Sequence, residues 1–220
     1  SAVLGKMAEL LLPKPPSECS TPFIPWALLL NQTLLFFGLR SYPRALRSIV
    51  QRFLSIPILS STKTMILCDL NMEMIGRILS TRYLESIRER EGGSYGVGCA
   101  GWMNRYPIPH AQLIMQFDTD PEKQEKLMSI IHEEVMTIVE NGPLAKDLQK
   151  EKESMLKDFE EDLEKNGYWS DVISIYYKNG INYITDYKAA VEAITAETVQ
   201  ATLKQLTQAG NVFEVVMLPQ

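Results

Sequence analysis

The sequence predicts an α+β fold, a two-layer sandwich with a mostly antiparallel sheet and helices packed on one face. Three observations carry this. Two segments of period two, Tyr95 to Gly101 and 110 to 118, flank a proline turn and read as a hairpin. The helices come in runs, with no strand read between 121 and 208. A last apolar strand, Asn211 to Leu218, closes the chain. Strands that pair locally and helices that come in runs argue against a doubly wound sheet. The 220 residues are read as one domain, 1–220, in which 1–32 has no assigned place.

In chain order, residues 1 to 12 read as a short helix ended by Pro13, Pro15 and Pro16, and 17 to 25 as a proline-punctuated loop. Thr33-Leu-Leu-Phe-Phe-Gly38 is a short apolar strand bounded by glycine. Pro43 is placed to open a helix over Arg44 to Leu54, with Leu46, Ile49, Val50 and Phe53 on one face and Pro57 beyond it. Thr64 to Cys68 reads as a further strand. Leu79, Tyr83 and Ile87 recur four apart, which predicts a helix over 72–90 that Gly92 and Gly93 stop. The hairpin follows, its turn at Arg105-Tyr-Pro-Ile-Pro109. Asp120-Pro121 reads as a cap and first-turn proline for a helix ending at Asn141-Gly142. Pro143 opens the next helix, to about Lys165, which Asn166-Gly-Tyr-Trp169 breaks. A helical segment over 170–178, a short element from Tyr187 to Ala193 and a last helix over Ala196 to Gln208 follow.

A net charge of −5 with no dense Lys/Arg cluster argues against nucleic acid or an anionic membrane as partner. No apolar run approaches the roughly 20 residues that span a bilayer; the nearest, Trp26 to Leu39, is interrupted by Asn31, Gln32 and Thr33. No signal peptide is visible, and the chain reads as part of a longer protein. Cys19, Cys68 and Cys99 have no metal spacing and read as buried or incidental thiols.

Usual catalytic patterns fail on context. His110 and His132 stand too far apart for two ligands on one helical turn, so no catalytic zinc site is assembled here. Gly96-Val-Gly98-Cys-Ala-Gly101 has the letters of a dinucleotide loop, but it lies inside a strand instead of opening a helix. No Ser or Cys sits in a nucleophile elbow. Asn31-Gln-Thr33 is a glycosylation triplet of a kind common by chance. What remains is the helix-to-strand turn, with Arg88 and Tyr95 on either side of Gly92 and Gly93. The plain reading is an exposed Arg and a packed Tyr; the functional one has both converge on a ligand lying along a strand whose bare face admits another backbone.

Arg88-x-x-x-Gly92-x-x-Tyr95, following Arg82-Tyr-Leu-Glu85, strongly resembles the pitrilysin family of zinc metallopeptidases, which includes insulin-degrading enzyme and mitochondrial processing peptidase. The resemblance is to the helix, turn and strand of the family's second, non-zinc domain. Leu34-Leu-Phe-Phe-Gly38, Asn141-Gly-Pro143, Asn166-Gly-Tyr-Trp169 and the closing strand agree with it, well from about 70 to 220 and loosely from 33 to 57. The stretch between Pro57 and Asn71 is shorter than in the family, and residues 1–32 match nothing in it. The resemblance implies an inactive domain without metal or cofactor of its own, partnered by a homologous domain carrying zinc on His-x-x-Glu-His. It implies that Arg88 holds a substrate carbonyl or carboxylate and that Tyr95 donates its hydroxyl to the scissile carbonyl oxygen. Gly92 and Gly93, with the glycines that follow, would let the peptide lie close to the sheet as an added strand. The alternative is a structural or assembly domain with no part in catalysis. The resemblance further implies a bacterial periplasm or cell-envelope location.

Overall fold

The computed structural model of the chain describes residues 48–57, 62–90, 94, 96–106 and 109–217. The predicted helix 1–12, loop 17–25 and strand 33–38 lie outside them, as do Gly92, Gly93 and Tyr95. The fold is α+β, as the local pairing predicts. Its described strands are β1 (Ser48–Pro57), β2 (Val97–Asn104), β3 (His110–Thr119) and β4 (Val212–Met217). They form one antiparallel sheet in the order β2-β3-β1-β4. The helices are α1 (Thr62–Tyr83), α2 (Gln124–Asn141), α3 (Ala145–Asp162), α4 (Asn166–Asn179), α5 (Tyr183–Ala193) and α6 (Ala196–Gln208).

The hairpin forms in the predicted place, with Val97 opposite Phe117 and Met103 opposite Ala111. Val50 and Leu54 of β1 stand opposite Phe117 and Leu113, and these four are buried on the sheet face that meets the helices. Residues 48–57 are thus a strand, which corrects the helix expected over Arg44 to Leu54. The spacing of Val50, Leu54 and their neighbours satisfies a helix as well as a strand over so few residues. The ladders on both sides decide it, with β3 against one edge of β1 and β4 against the other.

The strand expected at Thr64 to Cys68 is also corrected: those residues are the first turns of α1. Met65, Ile66, Leu70, Met72, Met74, Ile75, Ile78, Leu79 and Tyr83 are all buried, because α1 lies between the sheet and the other helices. A helix covered on most sides loses its amphipathic stripe, and its apolar run then resembles a buried strand. Asn71 is the buried polar exception; its amide donates to Thr202 Oγ1 at 2.7 Å and to the Thr198 carbonyl at 3.3 Å, tying α1 to α6. From Leu84 to Arg90 the rod continues with π-helical pitch, so the helix expected over 72–90 ends as predicted but begins ten residues earlier.

Two further boundaries differ. Asn166-Gly-Tyr-Trp169 does not break a helix but begins α4; the break falls at Leu163–Lys165. The Trp169 indole N–H donates to the Leu163 carbonyl at 2.8 Å, so α4 caps the end of α3. α5 starts at Tyr183 because Asn182 Oδ1 accepts from the Ile184 and Thr185 amides. At Asp120-Pro121 the cap is the Asp120 backbone carbonyl, which accepts from Lys123 N–H at 3.0 Å in a short 3-10 turn before α2. α6 matches its prediction, with a reciprocal Thr195–Thr198 capping box.

Candidate functional site

α1 delivers the Arg88 segment to the sheet, and its end is held from below. Arg82 Nε and Nη2 both lie 2.7 Å from Glu134 Oε2 on α2, and all three groups of this cluster, Arg82, Glu134 and Asp147, are at most 18% exposed. Beside them Tyr83 is buried, and burial pushes its phenol well above its ordinary value, so it stays a neutral hydroxyl directed at the Ile131 carbonyl, 3.5 Å away. Where the pitch changes, Ser86 Oγ donates to the Arg82 carbonyl at 2.8 Å. Ile87, the last residue of the predicted stripe, is fully buried. A π-helical segment within a longer helix is a common mark of a functional position. The backbone of Arg88 lies in this segment; its side chain, like Tyr95, Gly92 and Gly93, is outside the described set.

The far side of the turn is fixed by Asp118 of β3. Buried Ser94 donates from Oγ to Asp118 Oδ1 at 3.1 Å. The Gly96 amide is shared between that same Oδ1, at 3.1 Å, and Ser94 Oγ, at 3.2 Å. A Cβ on Gly96 would stand 3.0 Å from Asp118 Oδ1, whereas one on Gly98 would meet no described atom within 4 Å. The structure thus separates glycines that look alike in the sequence.

Beyond Gly98, α1 runs along the outer edge of β2. Ser80 Oγ bonds both the N–H and the C=O of Cys99 at 2.8 Å, and Asp69 Oδ1 accepts from Met103 N–H at 2.8 Å. Between them Gly101 faces the helix backbone, where a Cβ would lie 2.2 Å from the Met72 carbonyl oxygen. The close backbone approach expected along this strand is therefore real at Gly101, but it is made by α1. At Cys99 and Met103 the edge is already bonded, so an added peptide strand has no free partner there. A groove of about 430 Å³ lies along this part of the sheet, and Ser80, Gly96, Gly98, Ala100, Trp102 and Gln116 are among the residues that line it.

Asp69 also accepts from the Tyr183 hydroxyl, and burial pushes its carboxyl above the usual range while the two hydrogen bonds oppose that. Burial raises the thiols of Cys68 and Cys99, which are free; Cys19 lies outside the described residues. His110 is buried beside Asn104 and Gln112, and His132 is exposed on α2. Among the described residues no group of three or more His, Cys, Asp or Glu side chains is placed to hold a metal ion. No described helix is long and apolar enough to cross a membrane.

Ser80, Asp69, Ser94 and Asp118 were not anticipated as parts of this region. The 69-to-80 spacing places two residues three helical turns apart on one face, but that signal needs α1 to be recognised from its start. Asp118 shares the polar face of β3 with Gln112 and Gln116, so nothing in the alternation sets it apart.

An antiparallel sheet covered by helices, with α1 seated against its edge strand β2, defines a two-layer α+β domain. The family comparison is specific: residues 15–155 match the Peptidase M16 inactive domain, and the chain belongs to that family, as a non-catalytic peptidase domain. The matched span begins well inside the segment 1–32 that the motif resemblance left without a counterpart. An Arabidopsis thaliana protein described as a zinc protease, PQQL-like, is 23% identical over 148 residues, covering 60% of this chain and 15% of that protein. The Escherichia coli periplasmic protease PqqL superposes with a TM-score of 0.64 at 15% identity, over 81% of this chain and 20% of that one. The Pseudomonas fluorescens peptidase M16 inactive domain gives 0.58 at 17%, over 79% of this chain and 41% of that one. The ferredoxin protease FusC, solved as a mutant in complex with Arabidopsis ferredoxin, gives 0.63 at 15%, over 80% of this chain and 19% of FusC. At such identities the likeness is one of fold, and the chain spans a fifth or less of PqqL, FusC and the plant relative.

Proposed function

We propose that residues 1–220 form a single inactive peptidase-like domain that binds peptide for a zinc site on a homologous partner domain, in the same parent chain or a partner subunit. Arg88 holds a carbonyl or carboxylate of the substrate through its guanidinium fork. Tyr95 donates its hydroxyl to the scissile carbonyl oxygen as negative charge develops there. Gly92 and Gly93 give the substrate room between them. The observation that carries this reading is the bracing of the turn from both sides, by Arg82 on Glu134 before Arg88 and by Asp118 on Ser94 and Gly96 around Tyr95. Groups that must meet a reacting bond on another domain need such rigidity, because small misplacements are costly in rate. The zinc belongs to the partner, and a periplasmic setting is supported by the description of PqqL.

Mixing the chain with its zinc-bearing domain tests the reading. Arg88→Ala and Tyr95→Phe are expected to lower turnover of a peptide by about 10-fold or more while leaving partner binding nearly unchanged. Unchanged cleavage in both variants would assign the chain a structural or assembly role. Chelator-sensitive cleavage by the chain alone would overturn the inactive assignment.

A further inference from the structure

We propose that Asp118 is the positioning residue for Tyr95. The inference rests on the role given to Tyr95 above and adds a residue from another strand to that site. Tyr95 is joined by peptide bonds to Ser94 and Gly96, and those two neighbours converge on one carboxylate oxygen. Ser94 Oγ donates to Asp118 Oδ1 at 3.1 Å, and Gly96 N–H donates to the same atom at 3.1 Å and to Ser94 Oγ at 3.2 Å. Ser94 is 3% exposed, so its hydroxyl is not traded freely for water.

This bonding is not what the sheet requires. The β2–β3 ladder begins at Val97 opposite Phe117, so Ser94 and Gly96 precede the paired residues and have no ladder partner on β3. Asp118 itself pairs through its backbone with Ile49 of β1, the strand on its other side. Its position is therefore set by the middle of the sheet, and its side chain carries that position out to the turn. The contact is also sterically close, since a Cβ on Gly96 would come 3.0 Å from Oδ1. A carboxylate that accepts two donors, one on each side of a single residue, restrains the backbone that flanks that residue.

The experiment uses the chain with its zinc-bearing domain and a fluorogenic peptide, together with 19F spectra of the 3-fluorotyrosine-labelled chain in which Tyr95→Phe identifies the Tyr95 resonance. Asp118→Ala is expected to lower kcat about 10- to 100-fold with KM changed less than about threefold. It should also shift or broaden the Tyr95 resonance. Asp118→Asn, which keeps an Oδ1 acceptor for both donors, should recover most of the rate and the original resonance. Ser94→Ala removes one arm and should fall between them, which keeps the test decisive if Asp118→Ala folds poorly. On a Tyr95→Phe background Asp118→Ala should cost little more. If Tyr95→Phe lowers turnover but the Asp118 effect multiplies with it, or Asp118→Ala leaves the Tyr95 resonance in place, the positioning role is overturned. If Tyr95→Phe alone has no effect, it is the role of Tyr95 that fails, and the 19F comparison still decides whether Asp118 sets its position.

Discussion

Gly76 of α1 and Gly101 of β2 meet backbone to backbone: a Cβ on Gly76 would stand 2.7 Å from the Gly101 nitrogen, and one on Gly101 would stand 2.2 Å from the Met72 carbonyl oxygen. Real Cβ atoms do not approach backbone so closely, and neither side is a flexible side-chain end that can give. The contact seats α1 against the edge of β2, where Ser80 and Asp69 then reach the strand's outward amides.

Gly101→Ala should therefore destabilise the fold by about 3 kcal/mol or more, at the upper end of overpacking penalties. Gly98→Ala, three residues closer to the turn, has open space and should change stability by less than about 1 kcal/mol. Urea unfolding of both variants, read as midpoints at equal slope, measures the contrast. Equal losses in the two would mean that strand propensity, not the helix contact, governs this region.

Removing the carboxylate under the π-helical segment leaves a half-buried guanidinium without its main partner. Glu134→Gln should cost roughly 2 to 3 kcal/mol, somewhat below the range for fully buried pairs because Arg82 and Glu134 remain 18% and 15% exposed. Asp147, 4.0 Å from Arg82 Nη1, is too distant to replace it. Hydrogen exchange should rise first in 84–90, since that segment follows Arg82 directly. Uniform exchange across all helices would show that the pair supports the whole core and not this turn.

Trp169→Phe keeps an aromatic ring at the α3–α4 junction but removes the N–H that caps Leu163. A loss of about 1 kcal/mol is expected, the net value of one hydrogen bond. A loss above about 3 kcal/mol would point to packing of the indole instead.

The parts of this fold that were legible in the sequence are those with one face in water. The β2–β3 hairpin, α2 and α6 each show their period because solvent keeps the opposite face polar, and their ends carry Gly142 and Gly210 at positive φ or a Thr cap. β1 and the start of α1 were misread for the opposite reason. Both are covered on most sides, so their apolar residues do not repeat with a distinctive period. The candidate turn was legible as a motif, because Arg88, Gly92 and Tyr95 are close in sequence. Its supports were not: Glu134 lies 52 residues from Arg82 and Asp118 lies 24 from Ser94, separations that only the folded chain closes.

The most distinctive pH dependence should come from Asp69. Burial raises its carboxyl above the ordinary value of 3.8, with the Tyr183 hydroxyl and Met103 N–H pulling the other way. Neighbouring Glu73 is raised as well, by burial first, against the attraction of Arg77. An acid that holds its proton more tightly when folded stabilises the fold while protonated. That contribution is fully present below 3.8, and it is lost as pH rises through the higher folded-state value. Stability changes with pH for more than one reason, so the useful quantity is a difference between two proteins. Asp69→Asn keeps an acceptor for Met103 N–H and cannot ionise. Relative to it, the native chain should lose stability between about pH 4 and neutrality, by about 1.4 kcal/mol for each tenfold increase in proton affinity on folding. Urea midpoints for the two proteins at about pH 4, 5, 6 and 7, spanning that window, measure this. Parallel curves would mean that the two hydrogen bonds offset the burial of the Asp69 carboxylate completely.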